Sequence, residues 1–175
     1  MPEVLFLTDT PQLREISIFL MLQEIVKKIS DNTNQQSLSH KFRLERFERF
    51  MQMLNRLPKP VTILDIGGTE AFWRGMGFNE PGVTITLLNL EEAAPTKPPF
   101  ITLKGNATNL GGMANKSYDI VFSNSVIEHL FTWENQQKMA SEVQRVGKHH
   151  FIQTPNYWFP IEPHWVFPFF QYFPN

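Results

Sequence analysis

The amino-acid sequence predicts an α/β protein with a doubly wound, mainly parallel sheet of about five strands and an N-terminal helical extension. Its 175 residues, 42% of them apolar, suffice for one globular domain with such an extension. Apolar stripes at helical spacing precede Pro58 and Pro60, and short apolar runs separated by turn residues follow them. Runs this apolar are typical of strands buried on both faces of a parallel sheet.

Residues 1–57 are predicted to form the helical extension. Thr10 and Pro11 are a good helix start, because the hydroxyl caps a free N–H and proline lacks one. The polar segment 30–39 is predicted to be a connection. We expect both stripes to pack as core. The first stripe is Ile18, Leu22, Ile25, Val26 and Ile29, and the second is Phe47, Phe50, Met51, Leu54 and Leu57.

Residues 58–175 are predicted to form the sheet domain. Strands are expected at 61–65, 83–88, 100–103, 118–122 and 149–153. A helix is expected over 132–146, with Thr132 as its cap. Its predicted buried face is Met139, Ala140, Val143 and Val146. The second and third strands are joined by only about ten residues with three prolines among them, which predicts a loop or a single turn rather than a full helix.

Composition and charge exclude several kinds of protein. Sixteen basic against seventeen acidic residues give a net charge of -1, so nucleic acid is not an expected partner. The absence of cysteine excludes disulfides and thiolate chemistry. The apolar run at 16–22 is too short for a membrane span and lacks a basic leader, which favours a cytoplasmic protein. No His and carboxylate spacing suggests a metal site.

A carboxylate followed by two glycines ends the first predicted strand. Glycine lets the backbone turn sharply and lets a ligand lie against it, and ligands of open parallel sheets bind at the carboxyl ends of the strands. The loop lacks the third glycine of a dinucleotide site, which disfavours a nicotinamide-dependent oxidoreductase. Asp65 before Gly67 and Gly68 suits a ligand with an ammonium group and a positive sulfur. Alternatively, Asp65 caps the turn and the glycines only form it.

Further polar clusters follow the next three predicted strands, where one crevice would collect them. They are Asn89 with Glu91, Gly105 with Asn106, and Ser123 with Asn124, the last continuing to Glu128 and His129. Each cluster alone is a frequent loop or surface sequence, and their joint placement is what favours a binding site.

These motifs in this order resemble the class I S-adenosylmethionine-dependent methyltransferases, whose sheet is Rossmann-like. The resemblance covers about residues 61–164 and is strongest in LDIGGT (64–69), GNAT (105–108) and YDIVFSNSVIEHL (118–130). It implies S-adenosylmethionine as cofactor and a small-molecule methyl acceptor. The family sheet has seven strands, so the last two are expected to be missing from this chain.

The resemblance also implies roles for single residues. Asp65 and Gly67 would face the methionine part of the cofactor, and Gly68 would let the backbone approach it. Asn89, or Glu91 with it, would contact the ribose hydroxyls. The remaining implied contacts are Asn106 with the adenine amino group, Ala107 through its N–H with the adenine ring, and Ser123 and Asn124 beside the transferring methyl. Asn stands at two of these positions where the family usually has an acid.

Methyl transfer needs a general base only where the acceptor must lose a proton, and His129 and His164 are the candidates. The pair His149 and His150 is expected to be structural. The aromatic residues after 150 would form a wall for the acceptor, pack as core, or insert into a membrane interface. That segment, or the uncovered edge of the fifth strand, would also support a homo-oligomer. The alternative function is a catalytically inactive relative that serves as a binding or interaction module.

Overall fold

The computed structural model describes residues 38–92 and 94–155. The chain divides into two compact units, residues 46–155 and residues 1–45 with 156–175. Of the second unit the structure describes only residues 38–45. The helix predicted from Thr10, the aromatic segment beyond residue 155 and His164 therefore lie outside the described residues.

A five-stranded parallel sheet forms the centre of the first unit. Its strands are β1 (Val61–Ile66), β2 (Val83–Asn89), β3 (Phe100–Lys104), β4 (Tyr118–Asn124) and β5 (Gly147–Gln153). Their order is β3-β2-β1-β4-β5, and every neighbouring pair runs parallel. The doubly wound α/β architecture is thus confirmed. The chain reverses its direction of winding between β1 and β4, and ligands of such sheets bind beside that switch point.

In residues 38–92 and 94–155, three α-helices and one 3₁₀ helix accompany the sheet. They are α1 (Leu38–Leu54), α2 (Glu70–Gly75), the 3₁₀ helix (Ile127–Leu130) and α3 (Trp133–Val146). Helix α1 carries Phe47, Phe50, Met51 and Leu54 of the second predicted stripe, whereas Leu57 lies beyond its end and still packs against the core. The helix begins inside the segment expected to be a connection. The connection between β2 and β3 has no helix among its described residues, as predicted.

Helix α3 confirms the predicted cap, since the Thr132 hydroxyl accepts a hydrogen bond from the N–H of Asn135. Met139, Val143 and Val146 are buried, but Ala140 is exposed, so its predicted burial is wrong. At 3.6 residues per turn, Ala140 is rotated by about 100° from Met139 and faces away from the sheet.

The core lies in two layers, one on each face of the sheet. Because side chains alternate along a strand, successive residues of β1 serve opposite layers. The aromatic layer lies against α1 and α2, and its largest members are Phe47, Phe50, Trp73, Phe100 and Phe122. The aliphatic layer lies against α3, and its members include Leu64, Ile66, Leu88, Val121 and Met139.

Edge strand β3 departs from the expectation that every strand is buried on both faces. Ile101 and Leu103 are 53% and 39% exposed. An edge strand has a neighbour on one side only, and none of the described residues around β3 forms a helix over this face. Within the described ranges, we find no helix with the length and apolar character that a membrane crossing requires.

Candidate functional site

The glycine loop after β1 has a backbone that only glycine adopts easily. Gly67 has a φ of +74°, and its N–H donates a 2.8 Å hydrogen bond to the carbonyl of Leu88. A Cβ on Gly67 would overlap the side chain of Val126, which follows β4. The loop is therefore held between β2 and the residues that follow β4.

Asp65 lies directly beneath this loop and is not open to solvent. Asp65 is only 1% exposed. A Cβ on Gly68 would overlap Oδ2 of Asp65. The indole Nε1 of Trp73 donates a 2.6 Å hydrogen bond to the same Oδ2. Burial raises the pKa of Asp65 to about 7, while the hydrogen bond from Trp73 acts in the opposite direction. Asp65 is thus a buried carboxylate pressed against the backbone of the loop.

Asn89 connects the loop to the ends of β2 and β3. Its Nδ2 donates a 3.0 Å hydrogen bond to the carbonyl oxygen of Gly68, and its own backbone carbonyl accepts a 2.8 Å bond from the N–H of Gly105. The side-chain donor of Asn89 is therefore used on the loop, which leaves Oδ1 as the group it offers to a ligand. Glu91, two residues further along, is exposed.

Asn106 uses its side-chain oxygen within its own turn. Its Oδ1 accepts hydrogen bonds from the N–H and the hydroxyl of Thr108, both 2.9 Å long. An amide oxygen has two lone pairs, so the predicted contact with an adenine amino group would compete with this turn. Ala107 is buried and packs in the aliphatic layer.

The loop that contains Asn106 is fastened to α3 by two charged side chains. Arg145 donates to the carbonyl oxygens of Leu110 and Met113 at 2.8 and 2.7 Å, and Glu142 accepts from the N–H of Leu110 at 2.5 Å. The ion pair between Arg145 and Glu142 lowers the pKa of Glu142. The connection between β3 and β4 lies within the described residues and contains no helix, and these hydrogen bonds attach it to α3.

The end of β4 brings two predicted side chains to the same edge. Ser123 is fully buried, and its hydroxyl donates a 3.3 Å bond to the carbonyl oxygen of Ile66. Asn124 is half-buried at the last position of β4. Ser125, at a φ of +59°, turns the chain away and donates its N–H to the carbonyl of Gln153 at 3.0 Å.

Two further candidates are the predicted bases, His129 and His164. His129 is exposed in the 3₁₀ helix, and His164 lies outside the described residues. His149 and His150 are exposed on β5. No group of three or more His, Asp or Glu side chains in residues 38–92 and 94–155 has the arrangement of a metal site.

Sequence reasoning missed Trp73 and assigned Glu128 no role beyond the surface. Trp73 follows Asp65 by eight residues and lies in the short helix α2, which brings its indole back to Asp65. The six residues of α2 show no hydrophobic periodicity from which a helix could be predicted. Glu128 is half-buried, and its Oε1 is shielded from solvent without a hydrogen-bond donor in the described part of the chain. The signal for Glu128 was available, because it stands in the same motif as Ser123 and Asn124.

Part of the chain matches a known protein family. Residues 68–150 match the family described as a methyltransferase domain. A Mycobacterium tuberculosis protein described only as uncharacterized is 29% identical over an alignment of 136 residues, and the match covers 67% of this chain and 43% of that protein. The chain thus spans less than half the length of the curated relative it matches.

Solved structures with a similar fold are also described as methyltransferases. An Anabaena variabilis protein, described as a methyltransferase from an antibiotic biosynthesis pathway, is 25% identical with a TM-score of 0.46, over 61% of this chain and 45% of its own. A protein from Aquifex aeolicus, described as a SAM-dependent methyltransferase, is 17% identical with a TM-score of 0.44, over 72% of this chain and 67% of its own.

Proposed function

We propose, from the premise that this chain carries a class I methyltransferase domain, that it binds S-adenosylmethionine at the glycine loop and transfers the methyl group to a small-molecule acceptor. The premise rests on the family match over residues 68–150 and on the parallel sheet with the order β3-β2-β1-β4-β5. The observation that supports the proposal most directly is the buried carboxylate of Asp65 beneath the loop at the switch point.

The charge beneath the loop favours a cationic ligand. The missing side chains of Gly68 and Gly67 leave room for Asp65 and Val126, so the Asp65 carboxylate lies directly against the loop backbone at which the cofactor is proposed to bind. A carboxylate in a poorly solvated place attracts a cation more strongly than one in water does, because the local dielectric constant is low. An ammonium and a sulfonium are both favoured at this position, whereas a phosphate is not.

Each remaining candidate has a group that it offers to the cofactor in this proposal. Asn89 offers Oδ1 to the ribose hydroxyls while its Nδ2 holds Gly68, and Glu91 is the second candidate for the ribose. Asn106 and the N–H of Ala107 lie toward the adenine, where Asn106 has to share its oxygen with Thr108. Ser123 and Asn124 lie beside the methionine and the methyl group at the end of β4.

When bound, S-adenosylmethionine supplies a methyl group on a sulfonium that leaves as a neutral thioether. The residues of this chain then have to hold the acceptor in line with that methyl and keep water away, since positioning supplies most of the acceleration in such displacements. Where the acceptor has a proton to lose, His129 in the 3₁₀ helix that follows β4 and His164 are the proposed bases.

Isothermal titration calorimetry of the full chain with S-adenosylhomocysteine tests the proposal. We expect one site per chain whose affinity falls strongly in Asp65→Ala and is unchanged in Glu92→Ala, which removes an exposed carboxylate just beyond β2. No detectable heat at millimolar ligand would refute cofactor binding. Heat with NADH and none with S-adenosylhomocysteine would replace it with a nicotinamide site.

A second candidate function is a binding module without catalysis. It is favoured by the neutral Asn106, whose oxygen is already bonded to Thr108 where the family usually has an acid. Incubation with S-adenosylmethionine labelled in its methyl group, over a panel of small amines, alcohols and acids, separates the two. Label transferred to any member supports the enzyme, and binding without transfer to any member favours the module.

A further inference from the structure

We propose that Glu128 binds the methyl acceptor and that this acceptor carries a cationic amine, an inference that rests on the proposed methyltransferase function. Glu128 lies in the 3₁₀ helix that follows β4, outside the set of residues assigned to the cofactor. The contacts assigned to the cofactor do not account for its carboxylate, which has an oxygen buried without a hydrogen-bond partner among the described residues.

The two oxygens of this carboxylate are poorly satisfied. Oε1 is shielded from solvent, and no donor in residues 38–92 or 94–155 reaches it. Within the described part of the chain, Oε2 accepts only a long bond of 3.4 Å, from the hydroxyl of Thr154. A buried polar atom without a partner costs about 1–3 kcal/mol, and more where the group is charged. Such a cost is tolerated at binding sites, where a ligand supplies the missing donor.

The position of Glu128 matches that of an acceptor site. Val126, two residues earlier, contacts Gly67 of the glycine loop, and Ser125 is bonded to Gln153 at the end of β5. Thr154, which touches Glu128, directly follows β5. The carboxylate thus stands at the ends of β4 and β5, on the side of the switch point away from Asn89 and Asn106. An acceptor there would face the methyl end of the cofactor.

The charge of Glu128 indicates a cationic partner. Five carboxylates of the described ranges form an ion pair with a lysine or arginine, as Glu70 does with Arg74 and Glu142 does with Arg145. No lysine or arginine of the described ranges forms an ion pair with Glu128. Hydrogen bonds from an ammonium to a carboxylate are about twice as strong as neutral ones, so an amine satisfies Oε1 better than a hydroxyl does.

The test uses the full chain saturated with S-adenosylhomocysteine and ¹³C labels in the threonine methyl groups. The methyl of Thr154 reports on Glu128, and Thr154→Ser assigns its signal. The probes are ethylammonium chloride, ethanol and potassium acetate at matched ionic strength. We expect a saturable shift with ethylammonium in the millimolar range and none with the other two. Glu128→Gln should abolish that shift, while Glu134→Gln, at an exposed carboxylate paired with Lys138, should retain it.

The affinity for S-adenosylhomocysteine in the same variants separates the possible failures. An unchanged affinity in Glu128→Gln together with a lost ethylammonium response supports the acceptor site. A large loss of cofactor affinity in that variant would mean that Glu128 binds the cofactor instead and would overturn the inference. Equal responses to all three probes, or none, would overturn it while cofactor binding stands. A chain that binds no S-adenosylhomocysteine refutes the proposed function and this inference with it.

Discussion

The indole of Trp73 donates its Nε1 hydrogen to Oδ2 of Asp65 over 2.6 Å, in a place where both residues are buried. The same indole is packed among five phenylalanine rings, at centroid distances of 4.9 to 5.9 Å. Trp73 thereby connects the carboxylate of Asp65, beneath the glycine loop, to the aromatic layer of the core. The geometry of the candidate site and the packing of the core depend on one another through this bond.

Replacement of Trp73 by phenylalanine should weaken both stability and cofactor binding. The variant keeps an aromatic ring but removes the donor, so the pKa of Asp65 should rise further and the anion should become less favourable. We expect a loss of about 2–4 kcal/mol in the free energy of unfolding, from the lost bond and the lost volume together. Chemical denaturation and calorimetry with S-adenosylhomocysteine measure the two effects.

Trp133→Phe is the matched control, because Trp133 is 72% exposed at the start of α3. It should change the free energy of unfolding by less than about 0.5 kcal/mol. Similar losses in the two variants would show that the bond between Trp73 and Asp65 has no particular importance.

The raised pKa of Asp65 makes stability depend on pH. The folded protein holds a proton on Asp65 up to about pH 7, whereas the unfolded chain releases it near the ordinary value of 3.8. The folded state therefore binds more protons between these values, and the contribution of Asp65 to the free energy of unfolding falls as the pH rises from about 4 to about 7. A tenfold difference in acid dissociation constant between the folded and unfolded states corresponds to about 1.4 kcal/mol.

The difference in unfolding free energy between Asp65→Asn and the native chain isolates this effect. The variant should gain relative stability as the pH rises through this window and should show no further gain above it. Asp119 and Glu142 have lowered pKa values, so their contributions are lost as the pH falls through their ordinary values of 3.8 and 4.5, and because both chains share these residues the losses cancel in the difference. A difference that is flat between pH 4 and pH 7 would contradict the raised pKa.

The elements with a strong pattern were predictable, and the contacts between them were not. Val61 to Ile66 and the other strands are short apolar runs, and α3 has a cap at Thr132 and a stripe at helical spacing. The edge position of β3 was not predictable, since Ile101 and Leu103 are as apolar as the residues of a central strand. Sequence patterns record burial within an element but not which element lies beside it.

The same limit applies to the candidate site. The polar residues after the strands were predicted to share one edge of the sheet, because the carboxyl ends of parallel strands lie together. The partners of those residues depend on tertiary contacts. Thr108 occupies the oxygen of Asn106, and Trp73 reaches Asp65, through turns whose geometry no local pattern specifies. The cofactor contacts assigned to these residues stay predictions.

Gly68 should tolerate no side chain. A Cβ there would overlap the carboxylate of Asp65. This carboxylate is buried and hydrogen-bonded to Trp73, so it is not free to move aside. We expect Gly68→Ala to lose at least about 2 kcal/mol of unfolding free energy and most of its affinity for S-adenosylhomocysteine. Gly112→Ala is the control, since a Cβ on Gly112 meets no atom within 4 Å. If the two variants are equally stable and bind equally well, the close approach of Gly68 to Asp65 is wrong.

Asn106→Asp should strengthen cofactor binding. In the native chain the side-chain oxygen of Asn106 already accepts two bonds from Thr108, and its other terminal atom is a donor that an adenine amino group does not match. An aspartate would keep one oxygen on Thr108 and offer the second to the amino group. One such bond is worth about 1 kcal/mol, so the affinity for S-adenosylhomocysteine should rise about fivefold.

Asn109→Asp is the control, because it adds the same charge nearby. The side chain of Asn109 likewise accepts a hydrogen bond within its own turn, from the N–H of Gly111. Calorimetry should show the gain in Asn106→Asp alone, and S-inosylhomocysteine, which lacks the amino group, should show none. An equal gain at both positions would assign the effect to net charge and would remove Asn106 from the adenine site.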